Sequence, residues 1–240
     1  TLIAIDALAG LPQYPEHLEI VVVDNASGDD SLTRLRACAH TITLVESATN
    51  SGFAGGCNLG VSQSRGDVIA FLNNDARPDE GWVSAALEAL ASDSKVGAIA
   101  SQVLDWDGTI IDYQGAGLTW YGMGYRPYTG DKAKPRKSPQ AHPVLFGTGA
   151  AMFVRRSVFD ELGGFDESFF MFFEDVDFGW RLNLLGHTFL YEPRSIAYHR
   201  YHGSMGEVAP YREQFLLERN AFYCLYKNLD DANLARMLPG

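Results

Sequence analysis

Residues 19–30 read EIVVVDNASGDD, so a run of β-branched side chains closes on an acid and then passes into a turn. Continuous apolar runs of this kind are typical of strands buried in a parallel sheet. The pattern recurs along the first hundred residues, with strands predicted at 41–46, 67–72 and 95–101 and helices at 30–39, 58–64 and 81–91. This alternation predicts βαβ units with right-handed crossovers, and therefore an α/β fold with a mostly parallel sheet.

The second half of the chain has a different pattern. Residues 103–128 are rich in Gly, Tyr and Trp and predict short antiparallel strands or loops. An apolar strand is predicted at 144–154, broken by Gly147 and Gly149, and the Lys- and Pro-rich residues 131–140 predict an exposed loop. The remaining predicted elements are a helix at 174–185, strands at 187–191 and 195–199, and a terminal helix at 211–227.

Composition and charge exclude several classes of function. The chain has 19 basic and 30 acidic residues and a formal net charge of −11, which argues against nucleic-acid binding. Its cysteines, Cys38, Cys57 and Cys224, are far apart, which predicts neither a disulfide framework nor a CxxC metal site and fits a reducing compartment. The chain contains no run of 18 apolar residues, so no membrane span is predicted. We expect a protein of the cytoplasm or of the inner face of the membrane.

Polar residues follow three of the predicted strands. Asp24 closes the first strand, the glycine-rich residues 50–58 follow the second, and Asn73-Asn74-Asp75 closes the third. Ligands of open parallel sheets bind beyond such strand ends. Each feature alone has a structural explanation, since Asp24 also suits a turn and Asp75 also suits a helix cap. The glycine spacing does not match a dinucleotide fingerprint.

Two later clusters also combine chemically useful residues. Glu174, Asp175 and Asp177 come directly after the aromatic run FFMFF at a predicted helix start. Interaction with the helix dipole accounts for one such acid, whereas burial against aromatic side chains would raise a carboxylate pKa and make it a better base. Residues 198–202, YHRYH, place two imidazoles after a short strand, although a lone histidine is more often structural.

Five motifs, taken in this order, resemble glycosyltransferase family 2, which has the GT-A fold. They are VVVDNASGDDS (21–31), NSGFAGGCNLG (50–60), FLNNDARPDEGW (71–82), GTGAAMFVRRSVFDELGGFDESFFMFFEDVDFGWRLNLLGH (147–187) and EPRSIAYHRYHGS (192–204). The chain is most similar to the rhamnosyltransferase-like and galactofuranosyltransferase-like bacterial members. The resemblance covers about residues 1–205, as a nucleotide-binding half (1–102) and an acceptor and catalytic half (103–205), followed by a helical extension (206–240).

The resemblance implies roles for individual residues. Asp175 matches the general base and Glu174 its acidic neighbour, while Asp75 and His199 match the metal ligands, with His202 a weaker candidate for the latter position. Asn73 stands where the family's DxD motif has its first Asp, which leaves one fewer charge beside the metal. The residues implied for the sugar nucleotide are Asp24, Asn25, Asn50, Gly52, Phe53, Asn58, Asn73, Asn74 and Gly149. Trp180 and Arg181 are implied to lie near the acceptor or the diphosphate.

The resemblance also implies an activity. We expect a Mn²⁺- or Mg²⁺-dependent inverting glycosyltransferase that moves a sugar from a UDP- or dTDP-sugar to a hydroxyl of a glycan or lipid-linked acceptor in cell-surface polysaccharide synthesis. Two alternatives remain open: a catalytically silent sugar-nucleotide-binding module, and a nucleotidyltransferase of similar fold. A nucleotidyltransferase would be expected to have a basic glycine-rich loop near its N-terminus. Nothing in the sequence matches the family's first strand, because Thr1 to Ala9 resembles the helix after it, so we expect the sheet to lack that strand.

Overall fold

The computed structural model describes residues 1–14, 16–133, 140–200 and 210–237. Its helices are α1 (Leu2–Ala9), α2 (Ser31–Arg36), α3 (Gly52–Ser62), α4 (Trp82–Ser92), α5 (Arg156–Leu162), α6 (Glu174–Leu184), α7 (Pro210–Asn228) and α8 (Asp231–Met237), with a 3₁₀ turn at Glu167–Phe169. Its strands are β1 (Val21–Asp24), β2 (Thr43–Glu46), β3 (Val68–Leu72), β4 (Ala76–Pro78), β5 (Val96–Asp105), β6 (Ile111–Tyr113), β7 (Gly117–Leu118), β8 (Gly124–Tyr125), β9 (His142–Val144), β10 (Ala151–Arg155) and β11 (Thr188–His199).

The main sheet has seven strands. Its order is β3-β10-β5-β11-β4, with β6 paired to β5 and β9 paired to β11. Strands β3, β5 and β11 run in the same direction, but β10 enters between β3 and β5 in the opposite direction. The α/β class is therefore confirmed, while the pairing is more mixed than simple βαβ repetition predicts. The strand expected at 144–154 is shorter than predicted, because it begins only after Gly149.

A second, parallel sheet consists of β1 and β2. Within the described residues, no strand joins this pair to the seven-stranded sheet. Helix α3 packs against β1, and Gly60 of α3 comes so close that a Cβ there would lie 3.1 Å from Val23.

The glycine-rich residues form helix rather than the predicted loop. Helix α3 begins at Gly52, and it was expected only from residue 58. A Cβ on Gly52 would lie 2.2 Å from the carbonyl oxygen of Phe170, and the φ of Gly52 is +72°. A Cβ on Gly55 would lie 2.6 Å from that of Ser51. These glycines are needed because the start of the helix packs closely against its neighbours.

The protein has two hydrophobic clusters. The larger lies around the main sheet and includes Trp82, whose ring centroid is 4.4 Å from that of Phe153. The smaller cluster joins α6 and α7 and contains Phe146, Phe169, Phe173, Val176, Ala221 and Cys224. The terminal helix predicted at 211–227 therefore packs beside the acidic start of α6, and its apolar spacing is explained by this cluster.

The structure also differs from the predicted elements at β11 and at α5. The strands expected at 187–191 and 195–199 are one strand, β11, which passes Pro193 with a register shift between Glu192 and Ile196. Helix α5 was not predicted. Only part of the predicted loop 131–140 can be compared, since residues 134–139 lie outside the described residues.

None of the described helices is both long enough and apolar enough to cross a membrane.

Candidate active site

A cavity of about 520 Å³ lies where several elements of the main sheet end. Asn73 and Asp75 follow β3, His199 ends β11, and Gly149 precedes β10. These ends meet because Leu72 pairs with Ala151 and His199 pairs with Ala76. The cavity is lined by Phe53, Asn73, Asn74, Asp75, Gly124, Arg126, Phe146, Gly147, Thr148, Gly149, Ala150, Met171, Phe172, Phe173, Glu174, Asp175, Val176, His199, Glu213 and Leu217.

His199 lies between two carboxylates at one side of this cavity. Its Nε2 is 3.2 Å from Oδ1 of Asp75, and its Nδ1 is 2.8 Å from Oδ2 of Asp112. Asn73 completes the group, with Nδ2 3.4 Å from Nε2 of His199. Burial alone would lower the pKa of His199, but the hydrogen bonds with Asp112 and Asp75 raise that pKa to about 9.

Asp112 and Arg126 were not predicted from the sequence. Asp112 lies on β6 and is buried, and its Oδ1 accepts a hydrogen bond from Nη1 of Arg126 at 3.0 Å. One carboxylate thus holds both a guanidinium and the imidazole of His199. The only available signal was an acid and a basic residue within the irregular stretch 103–128, and no motif distinguished them from surface charges.

Glu174 and Asp175 also line the cavity, from the start of α6. Asp175 accepts hydrogen bonds from the backbone N–H groups of Gly149 (3.2 Å) and Val176 (2.8 Å). Burial raises the pKa of Asp175, and those two N–H groups offset the rise only in part. Burial, followed by the nearby charge of Asp175, raises the pKa of Glu174 well above its usual value. Oε2 of Glu174 is buried and has no hydrogen-bond partner.

The third acid of this helix has a different environment. Asp177 is fully buried and accepts hydrogen bonds from Arg181 (2.8 Å), Lys227 (2.9 Å) and Asn228 (2.9 Å). Arg181 also donates to the carbonyl oxygens of residues 162 and 164. Neither Arg181 nor Trp180 lines this cavity, and Arg181 joins α6 to its neighbours. Their expected place near the diphosphate or acceptor stays a prediction.

Several residues predicted to bind the nucleotide meet at the start of α3. Asn25, directly after β1, donates to Oδ1 of Asn50 (3.3 Å) and to the carbonyl of Gly52 (2.8 Å). Asp24 is buried beside them and accepts a hydrogen bond from the N–H of Ser27 at 3.3 Å. Of these residues around the start of α3, Phe53 is the one that lines the cavity described above.

Asn58 was also predicted to bind the nucleotide, but its side chain is hydrogen-bonded to other parts of the protein. Its amide donates to the carbonyl of Phe165 (2.9 Å) and to Glu167 (3.0 Å), and its Oδ1 accepts from the N–H of Phe165 (3.0 Å). Because both ends of the side chain are used, Asn58 fixes α3 to the segment before the 3₁₀ turn. His202, the weaker candidate for the metal site, lies outside the described residues.

The amino-acid sequence matches a family model described as glycosyl transferase family 2 over residues 2–163. This chain belongs to glycosyltransferase family 2. The predicted family and the predicted enzyme class, a glycosyltransferase acting on nucleotide sugars, are thereby confirmed. The alternative of a nucleotidyltransferase is not supported.

Two relatives illustrate the range of this family. The chain is 27% identical over 209 residues to N-acetylglucosaminyl-diphospho-decaprenol L-rhamnosyltransferase of Mycobacterium tuberculosis, covering 78% of this chain and 68% of that protein. It is 30% identical over 190 residues to the O-antigen biosynthesis protein RfbC of Myxococcus xanthus, covering 76% of this chain and 15% of that protein. The chain thus spans only a small part of the second relative.

Solved glycosyltransferase structures share the fold. GalNAc-T7 with UDP, GalNAc and Mn²⁺ superposes with a TM-score of 0.67 and 16% identity, over 87% of this chain and 41% of that one. The mannosyltransferase PcManGT of Pyrobaculum calidifontis, in complex with GDP-Man and Mn²⁺, gives a TM-score of 0.62 and 16% identity, over 98% of this chain and 73% of that one. The predicted GT-A fold is confirmed by these neighbours.

Proposed function

We propose that this family 2 glycosyltransferase transfers a sugar, with inversion at its anomeric carbon, from a nucleoside-diphosphate sugar to an acceptor hydroxyl. One observation supports this most directly: Asp75 with His199, and Glu174 with Asp175, line the same cavity from two sides. The first pair provides ligands for a cation beside a diphosphate. The second provides a proton acceptor, and a single displacement requires no protein nucleophile.

The residues around His199 fit a divalent cation. No group of three or more His, Cys, Asp or Glu side chains in the described part of the chain is arranged as a complete metal site. Asp75 and His199 nevertheless supply one carboxylate and one imidazole, which suits a cation that takes further ligands from substrate phosphates and water. Asp112 binds the other nitrogen of His199, which is the usual support of a metal-binding imidazole. Bound Mn²⁺ or Mg²⁺ would neutralise charge on the departing diphosphate.

Asp175 is proposed as the general base. Its two backbone hydrogen bonds fix the carboxylate at the cavity wall, while burial raises its proton affinity. A carboxylate of raised pKa accepts a proton more readily from the acceptor hydroxyl as that oxygen attacks the anomeric carbon. Glu174 lies next to it in the first turn of α6. General-base catalysis of this kind typically contributes about 10²–10⁴-fold to the rate.

The relatives suggest both substrates. UDP and GDP-mannose occupy the structures of distant neighbours, and the mycobacterial relative is named for a diphospho-decaprenol acceptor. We propose a UDP- or dTDP-sugar as donor and a glycan or lipid-linked sugar as acceptor, in the synthesis of a surface polysaccharide. A silent nucleotide-binding module would not require a proton acceptor and cation ligands in the same cavity.

A panel of nucleotide sugars tests the proposal. The protein is incubated with UDP-, dTDP- and GDP-sugars and a lipid-linked or glycan acceptor, in Mn²⁺, in Mg²⁺ and in EDTA. We expect release of nucleoside diphosphate with one donor class, abolished by EDTA, and a product whose anomeric configuration is opposite to that of the donor. Donor binding without any metal-stimulated release would instead identify a silent module, and retention of configuration would exclude the single displacement.

A further inference from the structure

The residues before α6 adopt an unusual backbone conformation. Phe170, Phe172 and Phe173 have φ values of +64°, +68° and +69°. Residues other than glycine rarely adopt this region, because the Cβ crowds the backbone there. The strained segment, defined here as residues 170–173, leads directly into Glu174 and Asp175. Its conformation therefore sets where the two carboxylates enter the cavity.

Helix α6 gives this segment little support of its own. Phe173 occupies the N-cap position, and no side chain caps the helix there. A polar side chain at the N-cap would accept a hydrogen bond from a free N–H of the first turn and stabilise the helix start. The start of α6 must be fixed by contacts from other elements, since neither a cap nor a favourable backbone conformation fixes it.

One buried side chain on α7 supplies such contacts. Asn220 has no exposed surface, and its Nδ2 lies 3.0 Å from the carbonyl oxygen of Phe169, 2.8 Å from that of Met171 and 2.7 Å from that of Phe172. A side-chain amide has two N–H donors, so three carbonyls share them. Arg219 adds a bond to the carbonyl of Phe169 at 3.1 Å and donates from Nε to Oδ1 of Asn220 at 2.8 Å.

The opposite side of the segment is held by α3. The N–H of Ala54 donates to the carbonyl oxygen of Phe170 at 3.3 Å. That carbonyl lies so close to Gly52 that no other residue fits there. The strained segment is thus held between the start of α3 and the middle of α7. The described hydrogen bonds of the Asn220 side chain are made to this segment, to its neighbour Phe169 and to Arg219.

We propose that Asn220 is a positioning residue for the transfer reaction: by holding the strained segment, it sets the place of Glu174 and Asp175 at the cavity wall. This inference rests on the proposed function, because it assumes that the two carboxylates act on the acceptor. Displacement of a reacting group by about 1 Å from a distant change can cost about 100-fold in rate. Substrate contacts made by the sheet side of the cavity are untouched by such a change.

Asn220→Ala, with Gln214→Ala as matched control, tests this role. Gln214 is an exposed amide on the same helix, whose Nε2 donates to Glu218. For Asn220→Ala we expect kcat to fall about 100-fold while the donor KM stays within about twofold. We also expect faster amide hydrogen exchange in residues 169–176, where the N–H of Met171 bonds to the carbonyl of Phe169 at 2.7 Å. Gln214→Ala should change neither quantity.

The two measurements separate this proposal from the proposed function. Unchanged exchange, or faster exchange with an unchanged kcat, overturns the positioning role and leaves the transferase proposal intact. If the unaltered protein transfers no sugar, the transferase proposal fails while the exchange comparison still shows whether Asn220 holds the segment. Asn220→Ser keeps one hydroxyl donor and should give intermediate exchange and kcat. If Asn220→Ala does not fold, Asn220→Ser takes its place in both comparisons.

Discussion

The two sides of the cavity carry carboxylates in opposite electrostatic environments. On the sheet side, Asp75 and Asp112 both contact the imidazole of His199, and Asp112 also pairs with Arg126. On the α6 side, Asp175 accepts hydrogen bonds from two backbone N–H groups, whereas Oε2 of Glu174 accepts no hydrogen bond. On the sheet side the carboxylates thus face an imidazole and a guanidinium, whereas on the α6 side burial raises the pKa of Asp175 and Glu174.

This difference suggests a division of labour. The sheet-side carboxylates lie beside an imidazole that can share a cation with them, which suits them to hold a metal ion beside a diphosphate. Burial raises the pKa of the α6 carboxylates, which suits them to accept a proton. Asp177 supports the comparison, since it lies on the same helix as Glu174 but is paired with Arg181 and Lys227. It does not line the cavity, and its role is to fix α6 to α7.

The largest effect is expected from Asp175→Asn, which removes the proposed base but keeps its shape. Transfer should fall by about 10²–10⁴-fold, because general-base catalysis is lost. Donor binding in the presence of Mn²⁺, measured by calorimetry, should stay nearly unchanged because the sheet side is intact. Asp160→Asn, an exposed acid on α5, serves as control. Unchanged turnover in Asp175→Asn would remove this carboxylate from the mechanism and abolish the contrast between the two sides.

A smaller effect is expected from Asp112→Ala on the sheet side. Removal of a carboxylate that orients a metal-binding imidazole typically costs about 10–100-fold in metal affinity. The Mn²⁺ concentration for half-maximal transfer should rise by that factor, whereas kcat at saturating Mn²⁺ should change less. Asp107→Ala, an exposed acid in the turn after β5, should leave the Mn²⁺ dependence unaltered. An unchanged dependence in a folded Asp112→Ala protein would show that His199 needs no support from Asp112.

The amino-acid sequence predicted the principal members of both sides but not their partners. The resemblance to family 2 implied that Asp75 and His199 belong to one metal site. It implied nothing for Asp112 and Arg126, whose contact depends on how the irregular residues 103–128 fold back so that β6 pairs with β5. No local pattern encodes such long-range pairing.

One other error came from a local rule that packing overrides. Glycine is a common loop residue, yet Gly52 begins a helix, and only glycine fits there because Phe170 lies where a side chain would be. The chemistry of the residues alone did not distinguish the three acids after the aromatic run; the resemblance singled out Glu174 and Asp175, and Asp177 does not line the cavity. The strained segment could not be foreseen, since phenylalanine has no preference for positive φ and only the contacts with α3 and α7 impose it.

The smallest effect concerns stability and depends on pH. Glu174→Gln should raise the melting temperature at pH 7 by about 2–4 °C, the change that about 1 kcal/mol produces in a protein of this size. Glutamine has the shape of the protonated acid, and it removes the need to bury a charge or to take up a proton on folding. The exposed Glu80→Gln, in the turn before α4, should leave the melting temperature unaltered.

The sign of this effect follows from the raised pKa of Glu174. Below its unfolded value of about 4.5 the carboxyl is protonated in both states, so the two proteins should then be equally stable. As the pH rises from there towards the higher pKa of the folded state, the unfolded protein loses its proton first, and the wild type becomes progressively less stable than Glu174→Gln. The advantage of glutamine should therefore appear above pH ~4.5 and grow with pH. An advantage that is instead largest in acid would mean that Glu174 is held as a stabilised anion, and the α6 side would then resemble the sheet side of the cavity.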